Sequence, residues 1–125
     1  MDTITELFII PAETAPYRLE VKAGEPISEL INTAVGGWFD CAYKENIVGY
    51  VHDTGIIDGL PINTIASALF GRILAGTCVI VGTMSLEGEY DGYNHDILAD
   101  DRTKLGYLSE VWKMWDEARM SKGTL

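Results

Sequence analysis

At 125 residues and 47% hydrophobic, the chain is long enough for one domain with a substantial core and too apolar for intrinsic disorder. Nine Lys and Arg against nineteen Asp and Glu leave a net charge of −10, a field that repels phosphate backbones and anionic lipid and so speaks against direct nucleic-acid or membrane binding. Cys41 and Cys78 lack C-x-x-C spacing and sit in apolar runs, and the acidic start MDTITELFII leads into no apolar run near the ~20 residues of a bilayer span. The composition therefore reads as a cytoplasmic single domain over 1–125 with two free thiols.

The runs TITELFII and YRLEVK, separated by the proline-bearing PAETAP, predict two strands of a hairpin or meander. GEPISELINTAV places Pro26 in a first helical turn, ahead of Ile27, Leu30, Ile31 and Ala34 at helical spacing. Residues 38–43 and 47–51 predict an antiparallel pair, with the glycine pair of AVGGWFDCAY where helix hands over to strand. Pro61 opens a second predicted helix, PINTIASALFG, which Gly71 closes, and TCVIVGTM predicts an interior strand. Residues 86–102 are rich in carboxylates and glycine and predict an exposed acidic loop. A C-terminal amphipathic helix follows over 103–120, its stripe made by Leu105, Leu108, Val111 or Trp112, and Trp115. The expected fold is α+β, an antiparallel or mixed sheet of about five strands with two or three helices packed on one face.

Several constellations could carry function. In Gly36-Gly37-Trp38-Phe39-Asp40, bare backbone would let a flat ligand approach, Trp38 would stack on it and Asp40 would accept a hydrogen bond. The plainer alternative is a helix-capping glycine followed by core aromatics. VHDTGIIDGLPIN crowds His52, Asp53, Asp58 and Asn63 into a glycine-rich connection at a helix start, which fits a ligand loop or merely a turn with Asn63 as cap. GRILAGT has phosphate-loop glycine spacing but Thr77 where the lysine belongs, so it is no Walker motif. Asp91, Asn94, His95 and Asp96 lack the spacing of a calcium loop, and no recognisable motif places a nucleophile beside either histidine. No metal or cofactor is called for. Trp112 and Trp115 would bury on their own domain or anchor a partner or a second copy of the chain.

The combination of VGGWFD (35–40), GLPIN (59–63), ASAL (66–69) and a G-x-x-V-x-V-G-like strand (76–82) resembles a small domain of unknown function common in bacteriophages, plasmids and other mobile elements. The likeness spans roughly residues 30–83 and departs where His52-Asp53 replace the Asn-Glu pair usual in similar proteins. It implies a phage-type accessory protein without established activity, with loop residues such as Asn63 and the glycine pair serving binding.

The resulting expectation is a non-enzymatic protein that counters a host process, host defence in the first instance, by sequestering a small nucleotide-like ligand. Gly36, Gly37, Trp38, Asp40, His52, Asp53 and Asn63 would line the site, with Trp38 and Asn63 meeting at one hollow. The alternative is an acidic inhibitor occupying the basic groove of a host enzyme as a nucleic acid would. Glu87, Glu89, Asp91, Asp96, Asp100 and Asp101 would then supply the charge, with Trp112 and Trp115 as anchors.

Overall fold

The computed structural model describes residues 4–85 and 89–123, the last five as backbone alone. In chain order the elements are β1 (Glu6–Ile10), β2 (Tyr17–Glu20), α1 (Ile27–Val35), β3 (Phe39–Lys44), β4 (Ile47–His52), α2 (Thr64–Phe70), β5 (Cys78–Met84), β6 (Tyr90–His95) and α3 (Ala99–Gly123). The strands form one antiparallel sheet in the order β2-β1-β5-β4-β3. β1 pairs with β5 over Cys78–Ile80, and β6 takes the stretch from Gly82 to Met84 through a register shift.

The alternation of side chains along each strand decides which helix covers which face. Phe8, Ile10, Cys78 and Ile80 point to one side, where Ala66 and Phe70 of α2 and Leu105 and Leu108 of α3 cover them. Leu7, Ile9, Val48, Val79 and Val81 point to the other, against Ile31 and Val35 of α1. Two helices thus share a face, as the α+β reading expects, and α1 takes the opposite one. Because both faces are covered, β5 reads as an unbroken apolar run rather than an alternating one. Gly49 is what lets α2 lie close: a Cβ there would stand 2.6 Å from the Phe70 ring and 2.8 Å from Cys78 Sγ. Both cysteines are free, and burial pushes the Cys78 thiol up to about 12.

Three elements differ from expectation. Residues 86–102 are not simply an acidic loop, for β6 occupies 90–95 and α3 begins at Ala99 rather than 103. Asp96, just after β6, accepts from the backbone N–H groups of Thr5 (2.9 Å) and Glu6 (3.2 Å) and from the Thr5 hydroxyl (2.8 Å). That carboxylate pins the start of β1 beside the end of β6. Helix α2 starts at Thr64, not Pro61, because Asn63 is its N-cap and Ile62 forms a β-bridge with Ala75.

Candidate functional site

The glycine pair has two separate local causes. Gly36 lies in the left-handed region (φ +88°) and ends α1, with the N–H groups of Gly36 and Gly37 both donating to Asn32 O at 2.9 and 3.0 Å. Nothing crowds a Cβ at Gly36, so conformation alone demands glycine there. At Gly37 the reason is space, since a Cβ would stand 3.0 Å from His52 Nε2. The chain leaves this corner with the Trp38 indole 79% exposed, while the Trp38 carbonyl accepts from Asp53 N–H at 3.0 Å. Phe39 behaves differently and packs edge-on against Tyr50, ring centroids 5.0 Å apart.

Beside this corner, at the open end of the β3–β4 hairpin, lies a cavity of about 310 Å³. Three segments build it. Asp40 comes from β3, Val51, His52 and Asp53 from the end of β4 with Thr54–Ile57 behind them, and Arg72–Ala75 from the connection between α2 and β5. The imidazole is fixed in place: His52 Nδ1 accepts from Thr54 N–H at 3.2 Å, and the Thr54 hydroxyl donates to Asp58 Oδ2 at 2.7 Å. A ring whose Nδ1 is an acceptor carries its proton, when neutral, on Nε2, the nitrogen on the Gly37 side. Ile56, Ile57 and Ile73, all more than half exposed and Ile57 at 86%, stand around the polar lining.

Asn63 belongs elsewhere. It is 1% exposed, its Oδ1 accepts from Ala66 N–H (3.0 Å), and its Nδ2 donates to Ile10 O (2.7 Å) and Gly76 O (2.9 Å). The expected hollow shared by Trp38 and Asn63 is therefore corrected: neither of two described cavities is lined by both, and the Asn63 carboxamide is engaged by backbone, as the cap alternative has it. Asn63 instead borders a second, more apolar cavity of about 590 Å³ with Pro11, Ile65, Leu108, Trp112 and Trp115. Of the residues expected to bind, Asp40, His52 and Asp53 come together at the smaller cavity, with Gly37 against His52 and Trp38 bonded through its carbonyl to Asp53. Thr54, Arg72 and the three isoleucines were missed. The signal in GIIDG and GRILAG was apolar pairs flanked by glycine without core periodicity.

The described carboxylates of the acidic alternative fall on β6, its two ends and the start of α3. Asp91 Oδ1 lies 2.7 Å from Nε2 of the buried His95, and this hydrogen bond, helped by Tyr93 N–H, holds the Asp91 carboxyl below its usual range. Asp96 serves β1. Asp100 and Asp101 stand in the first turn of α3, where negative charge suits the helix dipole. The Glu89 carbonyl accepts from Ser85 N–H, and Glu87 lies outside the described residues. Among the described residues, no group of three His, Cys, Asp or Glu could hold a metal ion. No helix among them is long and apolar enough to cross a membrane.

No curated protein and no solved structure matches the chain. A family model described as a domain of unknown function, DUF3846, matches residues 4–105, far more than the stretch 30–83 over which the motifs cluster, and the chain belongs to that family.

Proposed function

We propose that this chain is a non-enzymatic accessory protein of the phage and mobile-element type, which counters a host process by holding a small nucleotide-like ligand in the cavity of Asp40, His52, Asp53 and Arg72. One observation carries the reading: large aliphatic side chains, Ile57 and Ile73 foremost, are left in water around a cavity whose polar lining converges from three segments. Apolar walls with a few placed polar groups are the usual makeup of a small-molecule site, and ~300 Å³ is at the small end of such sites. The lining holds two carboxylates against one guanidinium, Asp40 and Asp53 against Arg72. That balance suits the amino and imino edge of a base better than a polyphosphate, with Arg72 available for a single anionic group. Trp38, exposed beside the site, offers a stacking face.

Titration calorimetry against nucleosides, linear mononucleotides and cyclic nucleotides tests this. Binding by one of these classes is expected, weakened at least tenfold by Ile57→Asp and by Arg72→Ala. Absence of binding across the panel, or binding untouched by both substitutions, overturns the reading.

A further inference from the structure

Helix α3 runs for 25 residues and is anchored to the body along its first half. Leu105 is 3% exposed in the core, Arg102 pairs with Glu6 through Nε (3.0 Å) and Nη2 (3.1 Å), and the Ser109 hydroxyl donates to Pro16 O at 2.8 Å. Further along, Trp112 and Trp115 line the 590 Å³ cavity, which opens between the helix and the β1–β2 connection. The exposed side carries large apolar groups among its charged ones. Tyr107, Val111, Met114 and Trp115 are 65%, 60%, 68% and 58% exposed. Tyr107, Val111, Met114 and the exposed Ala118 follow one another at intervals of four, three and four residues, which is the spacing of a seam against another helix.

We propose that this seam is covered by α3 of a second copy of the chain, making a two-fold dimer. Charge selects the occupant. Residues 103–125 hold four Lys and Arg against three Asp and Glu, so the whole acidic excess resides in 1–102. Two molecules of net charge −10 repel through most of their surfaces, and the C-terminal helix is the region where they meet without that penalty. Area agrees. Four large side chains more than half exposed, with aromatics offering ~150–250 Å² each, amount to roughly 500 Å² per copy. Two copies then reach the ~1,000 Å² that a specific interface needs. Val111 and Trp115 also line the cavity, so a partner helix on the seam closes its mouth. Most of the seam lies beyond residues 4–105, which the family model matches. The proposal does not rest on the ligand site.

Light scattering coupled to size exclusion, over a dilution series from about 100 µM, reads the outcome. The full chain is expected at twice its chain mass and the double variant Val111→Glu/Met114→Glu at the single mass, with unchanged helical circular dichroism. Both substituted positions are exposed, so folding should survive; if it does not, Met114→Ala is expected to raise the dimer dissociation constant at least tenfold. A full chain at single mass throughout, or a dimer indifferent to these substitutions, overturns the proposal.

Discussion

The Asn63 carboxamide accepts and donates at once, and the fold uses both ends. Its oxygen caps α2 while its nitrogen holds the carbonyls of Ile10, at the end of β1, and Gly76, just before β5. Asn63→Asp keeps the cap acceptor but turns an oxygen toward two buried carbonyls, so both Asn63→Asp and Asn63→Ala are expected to cost about 3 kcal/mol. Urea denaturation followed by circular dichroism checks this, and equal stability of the Asp variant would show that the donor end is idle. From the sequence Asn63 was readable as a cap at a helix start, because Asn followed by Thr-Ile-Ala is local information. Its donation across 53 residues to Ile10 was not, because a contact between distant segments leaves no periodicity to read.

Among the elements, β6 shows why composition misleads. YDGYNH has a glycine, three polar side chains and mostly exposed positions, all features of a loop, yet it pairs with β5 and orders its own turn. His95 is the reason: buried at 2% exposure, it reaches back to Asp91 four residues earlier. Asp91 thereby has a folded-state pKa below its ordinary 3.8. A depressed carboxyl contributes stability that is complete above its unfolded pKa and is lost as pH falls through the folded one. Stability measured from pH 6 to pH 2 should therefore fall more shallowly on the acid side in Asp91→Asn than in the parent. Parallel acid limbs would mean that the Asp91–His95 bond has no energetic weight. The α1, α2 and α3 helices and the β3–β4 hairpin were legible, since each rests on short-range spacing and capping. The antiparallel pairing of β1 with β5 and the placement of α1 opposite the other helices depend on long-range packing that no local pattern encodes.

On the scale of the whole molecule, charge and apolar surface are partitioned. Asp96 holds the chain's own backbone, and Asp100 and Asp101 stand at the start of α3. The two cavities share no lining residue, one lying at the β3–β4 hairpin end and one beside α3. The first of these was partly legible: Asp40, His52 and Asp53 were named from sequence, while Arg72 and Ile73 reach the same cavity only through the fold. Native mass spectrometry of the full chain purified without denaturation, beside Ile57→Asp, bears most directly on capture at that cavity. The account predicts an adduct of nucleotide size on the parent that releases on collision and is lost from the variant. A parent chain that stays free of adduct after incubation with nucleotide-rich cell extract, or an adduct that Ile57→Asp retains in full, would contradict it.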